Sequence, residues 1–153
     1  MKIRKMEIAD YDKVYQFWLS IPGMGINNLD DSRESIEKFL LRNPTTNFIA
    51  QNDSGEIIGA ILSGHDGRRG HISHAAVKQT ERKQGIGTAL VKVALDALRI
   101  EGISKVTLTT FTKNEVGNAF WEGQGFVTNK DVTYRSRVIN DNLVYAKNIY
   151  IEG

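Results

Sequence analysis

The stretch of sequence that decides the fold is Ala75-Ala76-Val77-Lys78-Gln79-Thr80-Glu81-Arg82-Lys83-Gln84-Gly85-Ile86-Gly87-Thr88-Ala89-Leu90. It reads as the end of a β-strand, a polar turn and a helix that begins on glycines. From Ile86 onward, apolar residues recur at helical spacing, which predicts a helix with one buried face. Gly102 ends this pattern, as a glycine that closes a helix does. The chain is therefore organised around a strand, a glycine-rich turn and an amphipathic helix.

The start of that helix has the properties of an anion site. A helix start leaves backbone N–H groups unpaired and carries the positive end of the helix dipole. Gly85 and Gly87 lack the Cβ atoms that would keep a phosphate away from those N–H groups. Arg82 and Lys83 add positive charge at the same place. These residues predict a phosphate-binding turn built mainly from backbone.

Several kinds of helix start contain such glycines. The pattern G-x-x-x-x-G-K-S/T is absent, which argues against nucleoside triphosphate chemistry. Gly85 and Gly87 also begin the dinucleotide pattern G-x-G-x-x-G, but Leu90 occupies the position of its third glycine, so this alternative is weak. The other alternative is an ordinary glycine-opened helix that binds no ligand. A lone G-x-G pattern fits this alternative as well as it fits a phosphate site.

Two motifs resemble those of the GNAT superfamily of acyl-CoA-dependent N-acyltransferases. Residues 82–87 match its signature R/Q-x-x-G-x-G/A, which holds the pyrophosphate of acetyl-CoA in that family. Residues 114–126 resemble the family segment N-x-x-A-x-x-L/F-Y-x-x-x-G-F. They depart from it at Gly117, where the family has alanine, and at Trp121, where it has tyrosine. The resemblance extends over residues 3–145.

This resemblance implies a fold and a cosubstrate. The expected fold is the GNAT-like α/β architecture, a mixed central sheet with helices on both faces, in a single domain over residues 1–153. Acetyl-CoA is expected in a slot between two splayed parallel strands, residues 71–77 and 105–111, with its pantetheine arm along residues 75–77. The cofactor-binding residues implied by the resemblance are Ala75, Ala76, Val77, Arg82, Lys83, Gln84, Gly85, Ile86, Gly87, Thr88, Asn114, Phe120 and Trp121.

The implied activity is transfer of an acetyl group from acetyl-CoA to a primary amine, by direct attack in a ternary complex. An aliphatic amine has a pKa of about 10.4, so a base or a water relay is useful at neutral pH. By resemblance, the backbone N–H of Ala76 donates to the developing oxyanion. The motifs do not identify the acceptor, which is a small-molecule amine or a peptide amine. The alternative is a CoA-binding sensor or regulatory protein that has lost catalysis, which Trp121 favours.

The candidate proton-transfer residues depart from the family pattern. Trp121 replaces the usual acid, and an indole N–H does not titrate. His71, six residues before Val77, resembles the relay histidine of serotonin N-acetyltransferase and titrates in the useful range, although a partly exposed strand residue fits equally well. Tyr134 is a further candidate acid, supported only by its hydroxyl. His74 falls on the opposite face of a regular strand, unless a β-bulge intervenes.

Two acidic residues near the first glycine-containing loop have two interpretations. Asp30 and Asp31 could attract a cationic amine, because the loop 22–28 corresponds to an acceptor-binding region in the family. Asp31 followed by Glu34 is also the pattern of a capping box at a helix start.

The composition excludes other classes of protein. Without cysteine, the chain has no disulfide, no thiolate zinc site and no acyl-cysteine mechanism. A net charge of +2 from dispersed residues argues against nucleic-acid binding, and no apolar run is long enough to span a membrane. The histidines lack the spacing of a metal site. These features predict a cytoplasmic protein without a metal, and they leave open a homodimer formed through the terminal strand.

Hydrophobic periodicity predicts the remaining elements. Strands are expected over residues 2–8, 48–50, 57–62, 71–77 and 105–111, from residue 126, and over 143–151. Helices are expected over residues 9–21, 31–40 and 114–124.

Overall fold

A computed structural model gives the fold over residues 1–146. The sheet consists of β1 (Lys2–Lys5), β2 (Phe48–Gln51), β3 (Ile57–His65), β4 (Gly70–Val77) and β5 (Val106–Thr107). The strands lie side by side in chain order. Neighbouring strands from β1 to β4 are antiparallel to one another, and β5 is parallel to β4. The sheet is therefore mixed, as the sequence predicts.

Helices cover both faces of this sheet. They are α1 (Tyr11–Leu19), α2 (Arg33–Arg42), α3 (Ile86–Ile100) and α4 (Glu115–Gly123). On one face, Trp18 of α1 and Leu40 of α2 pack in a cluster with Ile49 of β2. On the other, Leu90 of α3 packs with Ile61 of β3, and the aromatic rings of α4 border that cluster. The amphipathic patterns of the sequence thus account for two separate cores. Within the described residues, no helix is long and apolar enough to cross a membrane.

The strands β4 and β5 diverge. Only Gly70 with Val106 and His71 with Thr107 are paired between them. From Ile72 to Val77, β4 continues without β5 beside it. A parallel pair that separates in this way leaves a gap at the carboxyl end of the first strand, as the resemblance implies.

A β-bulge interrupts β4. Ala60 pairs with Ala76 but Leu62 pairs with Ser73, so that two steps along β3 correspond to three along β4. Within the bulge, His74 has a φ of +46°, in the left-handed region. Bulges bend a strand and redirect side chains. The alternation expected of a regular strand therefore fails here, and the side chain of His74 packs on the α1 face.

Several predicted boundaries are wrong. β1 ends at Lys5 because residues 8–10 form a 3₁₀ turn before α1. β5 has two residues rather than seven, because the chain turns away after its short pairing with β4. Residues 126 and 127 form no strand. Of the strand predicted over 143–151, residues 147–151 lie outside the described residues, and Tyr145 makes an isolated bridge with Asn27.

The residue that caps α2 is Ser32 and not Asp31. The Ser32 Oγ accepts a hydrogen bond from the Ser35 N–H at 3.2 Å, and its backbone is extended, as a capping residue requires. The Asp31 carboxylate is turned inward, where it has other partners.

Candidate active site

A cleft of about 760 Å³ opens beside the unpaired end of β4. Its walls are the last residues of β4, the starts of α3 and α4, and the loop 21–24. The predicted cofactor-binding residues that line it are Ala75, Ala76, Val77, Arg82, Lys83, Gly85, Ile86, Gly87, Thr88, Asn114, Phe120 and Trp121. Gln84 is exposed and lies outside this lining. The structure therefore brings two separate sequence motifs to one cavity.

The start of α3 opens onto the cleft without a side-chain cap among the described residues. The residue just before the helix, Gly85, has a φ of +80°, and a Cβ added there would meet nothing within 4 Å. The first helical hydrogen bond runs from the Ala89 N–H to the Gly85 carbonyl at 3.0 Å, so the N–H groups between them have no partner within the helix. Exposed Arg82 and Lys83 lie beside them. This end of the cleft is suited to an anion.

Gly87 allows α4 to approach the start of α3 closely. A Cβ added at Gly87 would lie 3.1 Å from two ring carbons of Phe120. A second contact joins the same two helices, because the Gln124 Nε2 donates to the Thr88 Oγ1 at 3.0 Å. The second sequence motif is thus packed directly onto the first.

The start of α4 is capped by its own side chain. The Asn114 Oδ1 accepts a hydrogen bond from the Gly117 N–H at 2.9 Å. A Cβ added at Gly117 would lie 2.8 Å from the Asn114 Cγ. The folded-back Asn114 side chain therefore occupies the space that an alanine methyl group would need, which accounts for glycine at this position.

Aromatic rings form one wall of the cleft. Trp121 makes edge-to-face contacts with Phe120 and Phe126, with ring centroids 5.0 Å and 5.1 Å apart. This geometry is favourable and holds the indole in place. Trp121 therefore supplies an apolar surface and an N–H donor, but no group that titrates.

His71 lies at the paired end of β4, outside the cleft lining. The bulge at His74 lies between His71 and Ala75 in the chain. The His71 Nδ1 is 3.2 Å from the Thr107 Oγ1. His71 is an exposed residue, but the protein atoms near its ring disfavour the charged form and lower the pKa of His71. His71 is therefore more readily neutral than an ordinary histidine.

Two other predicted residues are not at the cleft. Tyr134 is 77% exposed and is not among the residues that line it. Asp31 is buried: its Oδ1 lies 2.6 Å from the His74 Nε2, and its Oδ2 accepts the Asn27 N–H at 2.8 Å. The prediction that Asp31 attracts a cationic amine thus conflicts with its burial, whereas Asp30 remains exposed. Sequence reasoning missed the His74–Asp31 pair, because 43 residues separate its members.

Comparison with known proteins finds acetyltransferases, both by family and by individual relatives. The model of the acetyltransferase (GNAT) family matches residues 11–126. An acetyltransferase of Pectobacterium atrosepticum is 28% identical over 141 residues, which cover 92% of this chain and 98% of that relative. The N-alpha-acetyltransferase 30 of Schizosaccharomyces pombe is 33% identical over 88 residues, covering 54% of this chain and 58% of that one.

A solved structure shows the same fold. It is the PaiA N-acetyltransferase of Thermoplasma acidophilum in complex with coenzyme A, with a TM-score of 0.69 and 19% identity. The superposition covers 84% of this chain and 90% of that one.

Proposed function

The chain belongs to the GNAT acetyltransferase family, and from this premise we propose that it transfers the acetyl group of acetyl-CoA to a primary amine. The observation that supports this most directly is the uncapped, glycine-opened start of α3 at the edge of a cleft between diverging strands. The anionic diphosphate of acetyl-CoA suits the uncapped start of α3. Its narrow pantetheine arm suits the cleft between the diverging strands. The relative solved with coenzyme A has the same fold.

The proposed position of the cosubstrate follows from the cleft lining. The diphosphate lies against the N–H groups of the turn that carries Gly85 and Gly87, with Arg82 and Lys83 beside it. The pantetheine arm runs along the unpaired edge of residues 75–77. The thioester then lies between that edge and the aromatic wall that contains Trp121.

The proposed reaction is direct attack in a ternary complex. The amine nitrogen forms a bond to the thioester carbonyl carbon, and the bond from that carbon to sulfur then breaks. The backbone N–H of Ala76 donates to the carbonyl oxygen while it carries negative charge. The nitrogen gives up one proton and the leaving thiolate takes one, so the chemistry needs a proton acceptor and a proton donor.

For the proton acceptor we propose His71, which reaches the amine through water because it lies outside the cleft lining. Its lowered pKa keeps it neutral, and so able to accept a proton, at a pH where an ordinary histidine is already protonated. We expect His71→Ala to reduce turnover most at about pH 6 to 7, where a free amine is almost fully protonated. The pH–rate profiles of the two proteins check this. Superimposable profiles would exclude His71 as the base.

The proton donor to the thiolate is a separate question. Trp121 cannot supply a proton, and Tyr134 does not line the cleft. If proton supply to the thiolate limits the rate, Trp121→Tyr will raise turnover. If Tyr134 is the donor, Tyr134→Phe will lower turnover. Turnover unchanged in both variants would mean that another group or water is the donor.

The acceptor is proposed only by class, as a small amine or the amine of a peptide. The N-alpha-acetyltransferase 30 of Schizosaccharomyces pombe is similar over about half of this chain, which motivates including peptides with free N-termini. A cytoplasmic location and a homodimer remain predictions.

A two-stage experiment tests the proposed function. Calorimetry with acetyl-CoA, CoA and NAD first identifies the ligand, and we expect binding of the first two only. Release of free thiol from acetyl-CoA is then measured with a polyamine, an amino acid, an aminoglycoside and a short peptide. Binding of acetyl-CoA without thiol release on any amine would instead support the alternative function, a CoA-binding sensor, which Trp121 in place of a titratable acid favours. Failure to bind acetyl-CoA would refute both.

A further inference from the structure

The largely buried His74 side chain pairs with the buried carboxylate of Asp31, and the proposed chemistry does not use this pair. The His74 Nε2 lies 2.6 Å from the Asp31 Oδ1, and the two side chains are 15% and 5% exposed. A hydrogen bond to a charged group shielded from water is strong, and removal of one partner leaves the other buried and unsatisfied. The pair therefore fixes the two chain segments that carry it relative to each other.

The His74 end of the pair lies in the β4 bulge. Its φ of +46° is uncommon for a residue other than glycine, and it persists only where the surroundings hold it. The imidazole ring packs edge-to-face against the buried Trp18, with centroids 4.8 Å apart. The next residues, Ala75 and Ala76, line the cleft. The His74 side chain therefore anchors the backbone that carries the proposed oxyanion donor.

The Asp31 end of the pair holds the loop between α1 and α2. The Asp31 Oδ2 accepts the Asn27 N–H at 2.8 Å, and its backbone carbonyl accepts the Tyr11 hydroxyl at 2.5 Å. Asn27 follows residues 21–24, which form part of the cleft wall. The same loop is joined to the C-terminal segment, because the Ala146 N–H donates to the Ile26 carbonyl at 2.7 Å. One carboxylate thus joins the loop to the bulge.

We propose that His74 and Asp31 are positioning residues that hold the β4 bulge and the loop 21–28 in register for attack by the amine. This inference rests on the proposed function. A reacting group displaced by about 1 Å can lose about 10²-fold in rate. The start of α3 lies outside this chain of hydrogen bonds. Loss of the pair should therefore impair use of the amine much more than it weakens acetyl-CoA binding, because the diphosphate contacts at the start of α3 remain.

Three variants test the kinetic consequence. Asp31→Leu removes both side-chain hydrogen bonds, and His74→Phe keeps a ring against Trp18 without the hydrogen bond. Asp31→Asn is the conservative rescue, because its oxygen still accepts the Asn27 N–H and its amide can donate to a neutral His74 Nε2. The amine used is the one that turns over fastest in the panel above, and acetyl-CoA affinity is measured by calorimetry.

We expect kcat/KM for that amine to fall at least about tenfold in Asp31→Leu and His74→Phe, and to stay within about threefold in Asp31→Asn. The Kd for acetyl-CoA should rise by no more than about threefold in all three variants, which is well below the loss in kcat/KM for the amine. Equal losses in Asp31→Asn and Asp31→Leu would overturn positioning in favour of a role for the charge. If Asp31→Leu does not fold, His74→Phe and Asp31→Asn still decide the matter.

Hydrogen exchange tests the coupling without any acceptor. In His74→Phe, the amides of the loop 21–28 should exchange at least about tenfold faster than in the parent, although the substitution is on β4. His65→Phe, at the far end of β3, is the matched control and should leave that loop unchanged. Unchanged loop exchange in His74→Phe would overturn the inference. Because this measurement uses the free protein, it is independent of whether acetyl-CoA binds.

Discussion

The starts of α2 and α3 differ in how their unpaired N–H groups are satisfied. At α2, the Ser32 Oγ accepts a backbone N–H, and Glu34 places negative charge in the first turn. At α3, Gly85 offers no side chain, and the first turn contains no acidic residue. A side-chain cap stabilises a helix start by about 1 kcal/mol. The chain therefore completes one helix start internally and leaves the other, at the cleft, for an anion.

Glycines alone do not show that a helix start binds a ligand; the missing cap and the surroundings of the helix start are more informative. A glycine before a helix can be a simple consequence of backbone geometry. At Gly85 it coincides with an open cleft and with two nearby cations, Arg82 and Lys83. The combination is what supports a diphosphate site.

The largest expected effect comes from placing a carboxylate at the open helix start. Gly85→Glu should raise the Kd for acetyl-CoA by about 10²-fold or more, because two like charges about 4 Å apart repel by several kcal/mol near a protein surface. Gly67→Glu is a matched control: both glycines have positive φ and open space at Cβ, so the strain is similar and the added charge is the same. Calorimetry measures the affinities. Equal affinities in the two variants would refute the diphosphate site.

A smaller effect is expected from the cations beside that helix start. The double variant Arg82→Gln/Lys83→Gln should weaken acetyl-CoA binding about tenfold and flatten its salt dependence, since exposed charges are screened by ions. The pair Arg68 and Arg69, exposed on the β3–β4 turn, gives the control Arg68→Gln/Arg69→Gln with the same loss of charge. Affinity is titrated at low and high salt. If both double variants lose the same affinity for acetyl-CoA, the loss comes from the lower net charge and not from contacts at the start of α3.

The smallest effect is expected at the capped helix start. Ser32→Ala should lower the free energy of unfolding by about 1 kcal/mol, because one N–H of α2 loses its acceptor. The Kd for acetyl-CoA should not change. Urea denaturation followed by circular dichroism measures the first quantity and calorimetry the second. A loss of acetyl-CoA affinity in Ser32→Ala would break the distinction between the two helix starts.

Elements with a local signal were predicted from the sequence. The apolar spacing after Ile86 specified α3, and the glycines specified a start without a cap, since both depend on residues within a few positions of each other. The resemblance added the coenzyme and predicted that Asn114, Phe120 and Trp121 lie at its site; all three line the cleft. For the side chains that move protons, the sequence offered only candidates.

What the sequence alone determined is the family, the glycine-opened helix and the succession of strands and helices along the chain from β1 to α4, because these follow from short-range periodicity and from two motifs. Only the tertiary structure decided that Ser32 and not Asp31 caps α2, that β4 bulges at His74, and that His74 meets Asp31 across 43 residues. The register between β3 and β4 sets the bulge, and packing on Trp18 sets the orientation of the ring. Pairing between distant segments depends on how the whole chain closes its two cores, and no local pattern encodes it.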